Sequence, residues 1–127
     1  MIRFGVIGHP IAHSLSPLMH ATAYSLLGLD CSYEAFDIAP DAVKNAVEDF
    51  GSQGFRGLNV TIPHKESVAA LIDDLSEEAK AVGAINTLLF DAGRIRGENT
   101  DVYGFAASLR PFQNFVDGEG VLLLGAG

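Results

Sequence analysis

"PDAVKNAVEDFGSQGFRGLNVTIPHK", residues 40–65, changes its apolar period halfway along, and that change decides the fold. In the first half Val43, Ala46, Val47 and Phe50 fall at i, i+3, i+4 and i+7, the buried stripe of a helix that Asp41 can cap and Gly51 can end. In the second half "GLNVTIP" reads as a short strand, with Leu58, Val60 and Ile62 facing one way and Asn59 and Thr61 the other. Between them "GSQGFRG" is rich in glycine, but it follows a helix rather than a strand, which argues against a phosphate-binding loop.

The same alternation extends outward. Upstream, the apolar run Ile2 to Ile7 ends at Gly8 and suits a buried strand. Pro17 opens a helix that ends near Gly28, and residues 31–37 form the next strand. Downstream, helices are expected from about His64 to Ile72 and from about Ser76 to Val82. "AINTLLF" and "RIRGE" flank Asp91-Ala92-Gly93, a hairpin signal that makes one of these strands antiparallel. A last helix runs from Asp101 to Leu109, before Pro111. The expected fold is α/β, three layers, a mostly parallel (mixed) β-sheet with helices on both faces. In such sheets ligands sit beyond the carboxyl ends of the strands, so chemistry belongs in the loops after Ile7, after Val60 and around the 84–90 strand.

Residues 1–110 account for one complete α/β domain. From Pro111 to Gly120 the chain is polar and glycine-containing, a connector. Val121 to Leu124 is again an apolar run, followed at once by Gly125-Ala126-Gly127. A strand and then G-x-G is how a dinucleotide-binding unit begins. Residues 111–127 are therefore expected to be a linker plus the first strand and turn of a second, truncated domain.

Composition removes several classes of function. With 16 acidic against 8 basic residues and a net charge of −8, the chain would repel nucleic acid. No apolar stretch approaches the ~20 residues that cross a bilayer, and the start of the chain lacks the long apolar region of a signal peptide. Cys31 is the only cysteine and cannot form an internal disulfide, so a reducing cytoplasm is the expected setting and Cys31 a half-buried strand residue. His9 and His13 are separated by Pro10 in a loop, so no metal site is expected. Tyr24 and Tyr103 read as packing residues.

Four short motifs carry polar groups to the predicted strand ends. In "SLSP", Ser16 sits where an N-cap belongs and Pro17 at the first helical position, so that Ser14, Ser16 and free backbone N–H groups can hold an anion. In "NVTIPHK", Asn59 and Thr61 would be costly on an inward face without partners, which suggests a hydroxyl-rich ligand, and Lys65 starts the next helix. "GAINTL" places Asn86 and Thr87 in an otherwise apolar strand, where Asn needs a reason. "GENTD" ends on Asp101 at a helix start, either as a simple cap or as a carboxylate beside Lys65, forming an acid/base pair.

In this order and spacing the four motifs, followed by "LLLGAG", resemble the substrate-binding domain of the shikimate dehydrogenase family, and the resemblance covers the whole chain. It implies that Ser14 and Ser16 bind the substrate carboxylate, that Thr61, Asn86 and Asp101 hydrogen-bond the ring hydroxyls with Asn59 beside them, and that Lys65 is the catalytic lysine paired with Asp101. Glu77 falls where the family has a weak cofactor contact, although a solvated surface charge is the better reading. The resemblance further implies NADP(H) as cofactor of the full-length enzyme, with Gly125, Ala126 and Gly127 as an incomplete cofactor site and no cofactor bound by this chain alone. The substrate would be shikimate or 3-dehydroshikimate, without nucleic-acid or membrane partners, and the full-length enzyme could be a homodimer. A quinate/shikimate dehydrogenase domain, or a non-catalytic module binding a carboxylated polyol, are the alternatives. One departure stands out: the family often has glycine after the N-T-D aspartate, and here Val102 could shift Asp101 slightly.

Overall fold

In the computed structural model, which describes residues 1–112 with Gly118, Gly120, Leu122 and Leu124, strand and helix alternate. The order is β1 (Ile2–Gly8), α1 (Ser16–Leu27), β2 (Cys31–Asp37), α2 (Val43–Ser52), β3 (Phe55–Val60), α3 (Lys65–Ala69), β4 (Asp74–Leu75), α4 (Glu77–Val82), β5 (Thr87–Asp91), β6 (Arg94–Glu98) and α5 (Thr100–Leu109). The strands form one sheet in the order β2-β1-β3-β5-β6-β4. β1 is parallel to β2 and β3, and β4 is parallel to β6, while β5 runs antiparallel to both β3 and β6. This is the mixed α/β sheet that the sequence led us to expect.

The sheet's two faces are covered unequally. On one face Val43, Val47 and Phe50 of α2, Val68 and Ala69 of α3 and Ala79 of α4 pack on Ile7, Leu58, Val60, Leu88 and Phe90. Phe50, Phe36 and Phe55 form a ring cluster with centroids 4.8, 4.9 and 5.5 Å apart, two of its three pairs edge-on, the arrangement that aromatic quadrupoles favour. On the other face a smaller cluster of Val6, Ile11 and Tyr33 is joined by Phe4 and by Tyr24 of α1. α1 itself buries no residue, and Leu18 and Leu26 remain 69% and 82% exposed. No described helix is long and apolar enough to cross a membrane.

Several local expectations change in the fold. α2 starts after Ala42 with no side-chain cap, so Asp41 lies outside it, and it runs through Gly51 to Ser52. Gly51 is there for space: a Cβ would sit 3.2 Å from the Phe90 ring. β3 starts two residues early and stops at Val60, because His64 N–H bonds the Thr61 carbonyl at 2.9 Å and closes a turn. Ile62 is at that corner, 74% exposed, instead of continuing the buried face. α3 ends at Ala69 rather than Ile72, and the two-residue β4, too short to show a period, went unforeseen. Asp91 belongs to β5 and pairs with Arg94, leaving a two-residue turn with φ of 47° at Ala92 and 79° at Gly93, the positive values a hairpin's twist demands. Cys31 is half-buried as expected, but Tyr103 is 67% exposed rather than packed. Of the strand and G-x-G expected over residues 121–127 only Leu122 and Leu124 are described, both exposed, and the rest lies outside the described residues.

Candidate active site

Because β5 is antiparallel to its neighbours, its amino end meets the carboxyl ends of β1, β3 and β6 at one edge of the sheet. Asn59 lies opposite Thr87, and Thr87 opposite Glu98. Asn86 precedes β5 and is fixed from both sides: its carbonyl accepts from Val60 N–H at 2.8 Å and its N–H donates to Glu98 at 3.0 Å. That locked backbone lets its side chain act as a hub. Asn86 Oδ1 accepts from Thr100 N–H and from the Thr87 hydroxyl, both at 3.0 Å. Its Nδ2 donates to Thr100 Oγ1 at 2.7 Å and to Asp101 Oδ1 at 3.0 Å. An asparagine in an apolar strand context is thereby accounted for.

Lys65 is the first residue of α3, and its carbonyl accepts from Ile85 N–H at 3.0 Å, tying α3 to the chain entering β5. Its Nζ reaches Asp101 Oδ2 at 2.5 Å. Asp101 is not the cap of α5. Asn99 is, accepting from Val102 N–H at 3.2 Å while its amide donates to the Ala84 carbonyl at 2.9 Å. Val102 therefore serves the cap, and Asp101 still meets both Lys65 and Asn86. The lysine's hydrogen bond holds the Asp101 carboxyl below the ordinary range; burial opposes this, while the lysine's charge and the Asn86 amide add to it. The lysine and aspartate side chains stay 34% and 55% exposed, so the pair can be approached.

Asn59 continues the network toward α1. Its Nδ2 donates to the Asn86 carbonyl at 3.3 Å and to Thr87 Oγ1 at 3.4 Å, and its Oδ1 accepts from the Tyr33 hydroxyl at 2.7 Å. Burial pushes the Tyr33 phenol up to about 12, an effect the nearby Ser16 side chain partly offsets. Ser16 is the first residue of α1 rather than its cap; Leu15 holds the cap position without a side-chain bond. Ser14 Oγ instead accepts from Ser16 N–H at 3.3 Å. Thr61 stands just past β3, its N–H on the Ile7 carbonyl at 3.0 Å.

The structure thus joins Lys65, Asp101, Asn86 and Asn59 in one hydrogen-bonded system, with Ser14 and Ser16 at its α1 end. Glu77 stands outside it, on α4, 87% exposed and bonded to Lys80 at 2.9 Å. Gly125, Ala126 and Gly127 lie outside the described residues. The sequence reading missed Tyr33, His20, Asn99 and Thr100. Nothing in the alternation of β2 separates a core tyrosine from one with a polar task, whereas "ENT" before a helix could have suggested Asn99 as the cap. His64 was also missed: fully buried, its Nε2 bonds the Ile38 carbonyl at 2.7 Å and anchors the residue next to Lys65. No group of metal-ligating side chains occurs among the described residues. A depression of about 550 Å³ beside Arg56, Asp91 and Gly93 lies at the opposite end of β3, away from this chemistry.

An ammonium bonded to a carboxylate, beside amide and hydroxyl donors on an open edge, can hold a polyhydroxylated ligand and move one proton to or from it.

Comparison with known proteins identifies the family of this chain. Residues 6–88 match the family described as the shikimate dehydrogenase substrate binding domain. The shikimate dehydrogenase (NADP(+)) of Methanothermobacter thermautotrophicus is 49% identical over 97% of this chain and 43% of its own length. That of Caldanaerobacter subterraneus is 46% identical over 98% of this chain and 44% of its own. The Thermus thermophilus shikimate 5-dehydrogenase, crystallised with NADP(H) and shikimate, superposes with a TM-score of 0.81 at 47% identity, covering 88% of this chain and 42% of that one. The chain therefore spans less than half the length of these relatives.

Proposed function

Since the chain belongs to the shikimate dehydrogenase substrate-binding domain family, we propose that it forms the substrate-binding and proton-transfer half of an enzyme that interconverts 3-dehydroshikimate and shikimate with NADP(H). The observation that carries this reading is the Lys65–Asp101–Asn86 unit, two charged groups and an amide hub on an approachable edge. A module that only binds has no need of an ammonium with its own carboxylate.

In this reading NADP(H), when bound, would be the source of the hydride, and Gly125, outside the described residues, would be among the residues that hold it. Lys65 gives a proton to the alkoxide oxygen that develops and regains one from solvent at the open edge, while the Asp101 carboxylate holds the ammonium in place and favours its charged form. A general acid of this kind contributes about 10²–10⁴-fold to the rate. Ser14 and Ser16 take the substrate carboxylate, and Thr61, Asn86 and Asp101 its ring hydroxyls. Asn59, engaged by Tyr33 on one side and Thr87 on the other, supports Thr87 and Asn86 from behind.

Shikimate titrated into the 15N-labelled chain should move the resonances of Ser16, Thr61 and Asn86, and Ser16→Ala should weaken binding by about tenfold, the worth of one charge-assisted hydrogen bond. With a cofactor domain attached, Lys65→Ala should lower kcat by about 10²–10⁴ and change KM much less. Millimolar shikimate that leaves those three residues untouched would remove the site assignment.

A further inference from the structure

α3 is only five residues long, too short to hold a shape on its own, and Lys65 is its first residue. The N–H groups of a helix's first turn have no partner inside the helix, so bonds from outside α3 must place Lys65. On one side its carbonyl accepts from Ile85 N–H at 3.0 Å. On the other side stands His64, whose side chain is fully buried. His64 is held through backbone and ring alike. Its N–H donates to the Thr61 carbonyl at 2.9 Å, and its carbonyl accepts from Val68 N–H at 2.9 Å and from the Ser67 hydroxyl at 3.2 Å. Its ring Nε2 lies 2.7 Å from the Ile38 carbonyl.

The ring bond also fixes the state of the imidazole. A carbonyl only accepts, so Nε2 carries the proton and Nδ1 is left as a bare acceptor. That Nδ1 is buried with no hydrogen-bond partner among the described residues. A leucine or phenylalanine would fill the same space without burying an unpaired acceptor, so what the histidine adds is the tie to Ile38. Ile38 follows directly on β2, and its own N–H donates to the Gly8 carbonyl at the end of β1, 3.0 Å away. Through Ile38 the ring thus joins the residue before Lys65 to the carboxyl ends of β1 and β2.

We infer that His64 is a positioning residue for Lys65. Its ring bond to Ile38 holds the first turn of α3, fixing the lysine backbone while Nζ reaches Asp101. A lysine carries its charge on a flexible four-carbon stem, and a fixed backbone limits where that charge can go. As a statement about catalysis this rests on the reading of Lys65 as proton donor given above. The placement of the ammonium beside Asp101 stands on the geometry alone.

The test is the midpoint of the Asp101 carboxyl, followed by 13C NMR of the chain in a pH titration. The lysine's hydrogen bond is the main cause that holds this carboxyl low, so the midpoint reports how well Nζ is placed. His64→Phe keeps an aromatic ring but removes the donor, and His64→Gln keeps a donor near the place of Nε2. Urea unfolding checks that each variant is folded over the pH range used. His64→Asn, too short to reach Ile38, takes the place of a phenylalanine variant that is not. His64→Phe should raise the midpoint about halfway to its value in Lys65→Ala, and His64→Gln should leave it near wild type. In the Lys65→Ala background His64→Phe should move it no further. A residue that only stabilises the fold would lower resistance to urea and leave the Asp101 midpoint alone, and that result would overturn the inference. So would an equal rise in both backgrounds, or a glutamine variant that behaves like phenylalanine. Neither substrate nor cofactor enters the measurement, so a failure of shikimate to bind would strike the functional reading and not this one.

Discussion

Replacing Asn86 by alanine should loosen both the fold and the site, and the structure sets the size of the effect. Four side-chain hydrogen bonds are lost: from Thr100 N–H, from the Thr87 hydroxyl, to Thr100 Oγ1 and to Asp101 Oδ1. At about 0.5–1.5 kcal/mol net per bond, simple addition would suggest about 2–6 kcal/mol. Water can reach the exposed Thr100 and Asp101 side chains, so their bonds are largely replaced. The Thr87 hydroxyl and the first N–H of α5 are replaced less well, which brings the expected loss to about 2 kcal/mol. For a domain of this size that lowers Tm by roughly 6–10 °C. The backbone bonds of residue 86 to Val60 and Glu98 survive, so the sheet register should hold. Urea unfolding followed by circular dichroism gives the free energy, and the Asp101 carboxyl 13C shift gives the local effect: its midpoint should rise as one of the bonds that depress it disappears. Asn86→Asp separates the two halves of the hub. It keeps the Oδ1 acceptor but sets a second carboxylate against Asp101, so its loss should be at least as large at neutral pH and shrink on acidification. A loss below about 0.5 kcal/mol for Asn86→Ala, with the Asp101 midpoint unmoved, would refute the description of Asn86 as the hub.

The Lys65–Asp101 pair carries its own pH dependence. Asp101 has a folded-state pKa below its unfolded value, so its stabilising contribution is complete above the ordinary aspartate value of about 3.9 and is lost as pH falls through the lower folded value. Asp101→Asn should flatten that part of the acid-unfolding curve, and an unchanged curve would count against the pair. Gly8→Ala should place a Cβ 2.7 Å from Thr61 Cγ2, 2.9 Å from Ile11 Cδ1 and 3.0 Å from the Ile62 carbonyl. Overpacking of this kind costs about 1–3 kcal/mol, and Thr61 should shift with it, weakening shikimate binding alongside stability. A stable variant with wild-type binding would mean that the Gly8 contact does not position Thr61.

By itself the sequence determined the alternation of strand and helix, the α/β class, and which motifs hold polar groups. Those features follow from local periodicity and from residue types that are costly where they stand, such as Asn86 beside Ile85. It could not determine that Asp101 stands free of the helix cap, because an aspartate and an asparagine two residues apart are equally good caps until backbone angles and partners are known. It could not reveal Gly51 as a packing glycine, since the Phe90 ring that requires it belongs to β5, 39 positions on, and meets α2 only when the helix packs on the sheet. Tyr33 was invisible for the same reason: its neighbours His20 and Asn59 come from a helix and a strand that meet only when β1 is sandwiched between β2 and β3. Tertiary structure alone decided these points, because a hydrogen bond or a close contact depends on position in space, and sequence spacing reports only the neighbours that one helix turn or one strand pleat brings together.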